Sequence, residues 1–216
     1  MKRLILTSNA YYPSIGGIEN SLRHLAKEAL VEGYEPIIVV GDIGVQPPLR
    51  QVQESEVDGV KVMRYPLSPF ATRWLQWLNL MTSCFMCWRI YRRLRAEQPR
   101  SVVIARFHFN ALLAVWAGFS QVRYLVPSIV KFQSGVEIKT LSQFKQLLGL
   151  LKIALHSCVQ RAALKRCNNF IFSETMRHQC MALANNSAED CSLVKPGVDS
   201  TRFFPVEQSQ KNALRE

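Results

Sequence analysis

The 216-residue chain carries 27 Lys and Arg against 16 Asp and Glu, a formal net charge of +11. At 48% hydrophobic and 20% charged residues it has the apolar content of a globular domain, which excludes a disordered chain. The charge excess, beyond ordinary solubility charge, favours an anionic partner: nucleic acid, an acidic membrane surface or a phosphate-bearing ligand.

Residues 2–8 (KRLILTS) read as a first buried strand, closed by Asn9 and the turn YYPSIGG. From Ile18 the apolar positions Leu22, Leu25, Ala26, Ala29 and Leu30 follow at helical spacing, with Gly33 where a C-terminal cap belongs. Residues 35–42 (EPIIVVGD) give a second strand, 46–56 a polar loop and 59–66 a third strand. A long basic amphipathic helix over 73–96 stops before Pro99. A strand over 100–109 and a helix over 110–119 follow, with Asn110 at the helix entrance. Residues 124–135 read as a strand, and 139–166 as a second basic helix or two helices broken near Gly149. A strand over 168–174 leads through the N-cap Ser173 into a helix over 174–184, and 191–198 closes the series.

Such alternation predicts an α/β fold, a Rossmann-like parallel sheet with helices on both faces. Ligands of these sheets bind beyond the carboxyl ends of the strands. The candidate residues therefore come from the Gly16-Gly17 turn with Glu19, from Arg106–Asn110, from Gln133–Glu137, and from Ser173 with Glu174.

A glycine pair before a helix exposes first-turn N–H groups to an anion and permits close approach, though a plain tight turn has the same spacing. Neither GxGxxG nor GxxxxGK[ST] occurs, which argues against a standard dinucleotide fold or a P-loop. His108, at a predicted strand end, reads as a packed histidine between Phe107 and Phe109, as a hydrogen-bonding partner of a sugar or phosphate, or as a proton carrier. His24, His156 and His178 fall within helices and read as structural or surface residues.

Cys84 and Cys87 form a CxxC with no second pair at zinc spacing, inside an apolar helical run, so packing is their expected role. No metal is expected. Leu4-Ile5-Leu6 is too short an apolar core for a signal peptide, so all six cysteines are expected to stay reduced in the cytoplasm. Trp74–Trp88 falls short of the about 20 residues of a spanning helix. The helices over 73–95 and 139–166 mix arginine or lysine with Trp, Phe and Leu and contain no acid. They suit either an anionic membrane interface or a core-facing stripe with a basic rim. Nucleic acid ranks last, for want of a helix-turn-helix, zinc-finger or RNP pattern.

Read together, YYPSIGGIENSLRHLAKEALVEGYEPIIVVGD, VIARFHFNALLA, NNFIFSETMR and VKPGVDSTRFFP resemble, in order, the N-terminal domain of the family 4 retaining glycosyltransferases, which have the GT-B fold. The resemblance spans residues 1–205. It implies transfer of a sugar from a nucleotide-sugar donor, a substrate rather than a cofactor, to a polysaccharide or lipid-linked acceptor. It places Gly16 and Gly17 near the donor phosphates and acceptor, and matches His108 to a histidine near the reacting sugar. Gln133-Ser134-Gly135 takes the place of a histidine-glycine turn, making Ser134 and Gly135 substrate-side residues. Lys195–Asp199 marks the crossing to a second domain, with 206–216 as linker. The family's second domain supplies an Arg/Lys pair and paired glutamates, which this sequence does not contain. The expectation is half a site, weakly active or inactive alone, complemented by a separate C-terminal half and peripheral on the inner face of the membrane. The alternative is a non-catalytic binding module that docks on an anionic membrane or a partner enzyme.

Overall fold

A computed structural model describes residues 2–133, 143–185 and 187–195. Eight strands form one sheet in the order β3-β4-β2-β1-β5-β6-β7-β8. They are β1 (Lys2–Ala10), β2 (Tyr34–Ile43), β3 (Gln53–Val57), β4 (Val60–Tyr65), β5 (Val102–Ala105), β6 (Val122–Leu125), β7 (Asn168–Ile171) and β8 (Cys191–Leu193). Every neighbouring pair is parallel except β3 with β4. The helices are α1 (Gly17–Val31), α2 (Asn79–Glu97), α3 (His108–Ala117), α4 (Val130–Gln133), α5 (Gln143–Leu164) and α6 (Glu174–Ala184).

Alternation along the strands separates two cores. Leu6, Ile38, Val40 and Val62 face α1 through Leu22 and Ala26. Ile5, Val39, Met63, Val103 and Ile171 face the opposite way, onto Ile90 and Tyr91 of α2, Leu112 of α3 and Leu164 of α5. Buried on both faces, the inner strands read as unbroken apolar runs.

Four differences from the sequence reading have local causes. The polar loop over 46–56 ends in a strand, β3, whose QESEV lacks an apolar face because it pairs only at the sheet edge. The helix over 73–96 divides into a 3₁₀ turn (Arg73–Leu78) and α2. The strands placed over 100–109 and 124–135 are only four residues each, and α3 starts at His108 with Phe107 as its N-cap, so Asn110 lies inside the first turn. Helix α5 runs through Gly149 without a break. Gly118 ends α3 at φ +96°, with its own N–H bonded to the Val115 carbonyl and that of Phe119 to Ala114.

Candidate functional site

The carboxyl ends of β1, β4 and β5 meet where α2 and α3 pack on the sheet. A buried network fastens them. Asn110 donates from Nδ2 to Thr7 Oγ1 (2.6 Å) and to the Ser8 carbonyl (3.1 Å), and its Oδ1 accepts from the Tyr65 hydroxyl (3.1 Å). Thr7 Oγ1 also bonds the Val39 carbonyl (2.6 Å) and lies 2.7 Å from the Tyr91 hydroxyl. Asn110 was expected on the substrate; its amide is instead turned inward and engaged on both ends, because the helix begins two residues earlier than its sequence suggests. These bonds tie α3 to β1 and β4, while Asn110 also lines the cavity beside His156.

His108, the first residue of α3, is buried, with its Nε2 3.0 Å from His156 Nδ1 on α5. The Phe107 ring lies 4.5 Å from His108 and the Phe109 ring 5.3 Å from His156. Burial first, and the neighbouring His156 second, lower the His108 pKa to about 3. The start of α3 acts in the same sense, since helix N-termini disfavour cations. Burial and Lys152 lower His156 as well. His108 is therefore a neutral hydrogen-bonding group at physiological pH, and the proton-carrier reading has no support in this geometry. His156 escaped the sequence reading because nothing local to helix α5 marks a partner 48 residues away.

Beside the pair is a cavity of about 150 Å³, lined by Asn9, Leu67, Leu80, Phe107, Phe109 and His156 among others. A second cavity, of about 210 Å³, lies where the loop after β1 enters α1, against Tyr11, Tyr12, Ser14, Glu19, Asn20 and Arg23. Gly16 caps α1 in extended backbone without a side-chain bond. Glu19 folds back to it, accepting from Ser14 Oγ (3.2 Å), and a Cβ on Gly16 would press on that carboxylate. A Cβ on Gly17 would meet nothing within 4 Å. The start of α1 is thus open at Gly17, with the Glu19 carboxylate folded against Gly16.

At the far side of the sheet edge, Ser173 caps α6 by accepting from the Met176 N–H (3.2 Å), and the exposed Glu174 pairs with Arg177 (2.8 Å). Both have local partners. Ser134 and Gly135 lie outside the described residues, as do Pro196–Asp199 and the 206–216 linker. Among the described residues no group of His, Cys, Asp and Glu is arranged to hold a metal ion.

A family model described as Glycosyltransferase Family 4 matches residues 15–202. No curated protein matches the chain by sequence. Among solved structures, sucrose-phosphate synthase from Thermosynechococcus elongatus aligns with a TM-score of 0.62 at 12% identity, over 99% of this chain and 53% of that one. The catalytic domain of Starch Synthase IV from Arabidopsis thaliana, bound to ADP and acarbose, gives 0.54 at 11% identity, over 96% and 54%. A trehalose-6-phosphate synthase gives 0.51 at 10% identity, over 98% and 54%. These likenesses bear out the fold as that of GT-B proteins, and the chain spans about half the length of the structures it matches.

Proposed function

Since this chain belongs to glycosyltransferase family 4, we propose that it forms one wall of a sugar-transfer cleft, taking a nucleotide-sugar donor and a glycan or lipid-linked acceptor at the carboxyl edge of its sheet. One observation carries the reading: the fifteen-residue helix α1 starts on a glycine pair whose Gly17 side is open, at the same sheet edge as His108, with the Glu19 carboxylate folded against Gly16. Helix N-termini suit phosphate oxygens. Neutral His108, held by His156, contributes a hydrogen bond to a sugar hydroxyl or ring oxygen; it does not deliver a proton. The charge that develops on a leaving diphosphate needs fixed cations close by, and a facing second domain, in the same or a separate polypeptide, is proposed to supply them.

Transfer is tested on the full-length protein, together with any such second half, by following nucleotide release from a panel of nucleotide sugars. A Gly17→Val substitution adds bulk where the fold has room, so turnover should fall sharply while the melting temperature holds. Undiminished turnover in that variant would overturn the placement of the donor.

A second reading concerns the surface. Met81 and Phe85 of α2 and Leu147, Leu150, Leu151 and Leu155 of α5 are all exposed. Arg89 and Arg92 lie over Phe85 and Trp88, and Lys152 is exposed beside the leucines. Apolar side chains rimmed by cations are the pattern of an interfacial helix, and this supports peripheral docking on an anionic bilayer. Among the described residues no helix is long and apolar enough to cross one.

A further inference from the structure

Arg106 is the residue just past β5, and its N–H is locked to the Thr7 carbonyl (2.8 Å). It follows Ile104 by two residues and so points to the α1 face of the sheet, where Ile104 packs with Leu6 and Leu22. The residue is 8% exposed. Nη1 donates to Ser21 Oγ at 3.3 Å, and the guanidinium lies 5.4 Å from the Phe172 ring centre. Nε is buried with no partner.

Among the described residues no carboxylate comes within ion-pair reach of Arg106. The acids next to its two contacts are engaged elsewhere: Glu19, two residues from Ser21, accepts from Ser14, and Glu174, two residues from Phe172, pairs with Arg177. A cation taken out of water without a counterion costs several kcal/mol, which is why buried charges are nearly always paired. A methionine could fill the same space without that cost. The charge itself needs a reason.

The free groups are of one kind. With Nη1 engaged, the Nε–Nη2 edge remains, the edge on which a guanidinium grips an oxyanion with two parallel bonds. Ser21 Oγ accepts from Nη1, which leaves its O–H to donate. Ser21 lies about 6 Å along the axis from Gly17, within reach of the positive end of α1. Glu19 lies two residues from Ser21, on the opposite flank of the helix, with Ser14.

We infer that Arg106 and Ser21 form a binding site for a soluble phosphate-type oxyanion, set between α1 and the end of β7. Helix α1 packs on one face of the sheet, and α2 and α5 on the other. A protein docked on a bilayer through α2 and α5 would therefore hold Arg106 away from the lipid, which favours a dissolved phosphate over a headgroup. The site depends on none of the transfer chemistry proposed above.

The probes are inorganic phosphate and pyrophosphate, with sodium chloride at matched ionic strength. Calorimetric titration should give saturable binding to the native protein, and the melting temperature should rise with phosphate but not with chloride. Arg106→Met should weaken binding by about tenfold or more and lose the phosphate-dependent rise, while melting in chloride no lower than the native protein. Ser21→Ala, at a half-exposed position, should keep the fold and weaken binding several-fold. Arg106→Lys should bind with intermediate affinity. No saturable binding to the native protein, or equal binding in the Arg106→Met and Ser21→Ala proteins, would overturn the site. So would an Arg106→Met protein that melts early while phosphate leaves the native protein unmoved, for then the guanidinium is a strut between Ser21 and Phe172. Binding to phosphatidate vesicles that needs Arg106, with none to dissolved phosphate, would refute the soluble ligand.

Discussion

His108 Nε2 and His156 Nδ1 stand 3.0 Å apart, so one of the two rings donates and the other accepts. The folded pKa of His108, about 3, lies below its ordinary 6.5. Between those values the unfolded chain binds more protons than the folded one, and stability falls as pH falls. The contribution is complete above about pH 6.5 and declines by about 1 kcal/mol per pH unit on acidification. His108→Gln, which cannot titrate, should reduce the fall of the urea-unfolding midpoint between pH 4 and 6.5, leaving the share that comes from His156. An unchanged slope would refute the burial of a neutral imidazole there.

Asn110 offers a test of the network beneath the site. Asn110→Leu keeps the number of side-chain heavy atoms while adding bulk, takes the Asn110 acceptor from the Tyr65 hydroxyl and removes a donor from Thr7 and Ser8. Buried polar groups left without partners cost about 1–3 kcal/mol each. Urea unfolding should show a loss of that order or more. A loss within error would return Asn110 to the substrate side.

How much of this was legible beforehand depends on range. Leu4 to Ser8, or Ile37 to Val40, announces a buried parallel strand because both faces are covered, and α1 carries its 3.6-residue period on its surface. The glycine pair and Ser173 fell at helix entrances as read, because caps are local chemistry. What stayed hidden is long-range or marginal. Strand β3 is polar because it pairs on one side only. The inward turn of Asn110 follows from where α3 starts, and four-residue strands such as β5 leave too short a pattern to mark that point. The meeting of His108 with His156, and of Arg106 with Ser21 across 85 residues, is tertiary packing with no period to read.

Gly118 tests the end of α3. Its φ of +96° suits a residue without a side chain, and a Cβ there would sit 2.8 Å from the Arg95 guanidinium carbon. Gly118→Ala should destabilise by about 1–2 kcal/mol through backbone strain, and by more where the Arg95 guanidinium has to shift. A neutral or stabilising result in thermal unfolding would refute the left-handed cap.

The last prediction separates packing from docking on α2 and α5. Leu150 and Leu151 are 56% and 58% exposed, so little of either side chain rests on the core. Replacing both with Ser should change folding stability by no more than about 0.5 kcal/mol per site, the usual range for surface positions. If the helices dock on lipid, each leucine buries its chain in the interface, and each is worth up to about 1.5–3 kcal/mol of transfer. Co-sedimentation of the full-length protein with vesicles rich in phosphatidylserine should therefore fall by an order of magnitude or more for the double variant. Arg89→Gln with Arg92→Gln should weaken binding to acidic vesicles at low salt and leave any binding to zwitterionic ones unchanged, at about 1 kcal/mol per charge. Arg93 is the built-in control: it pairs with Glu54 and Glu97, so Arg93→Gln should change stability more than lipid binding. If the leucine variant unfolds early and binds vesicles as before, the exposed stripe belongs to the fold and the docking reading fails.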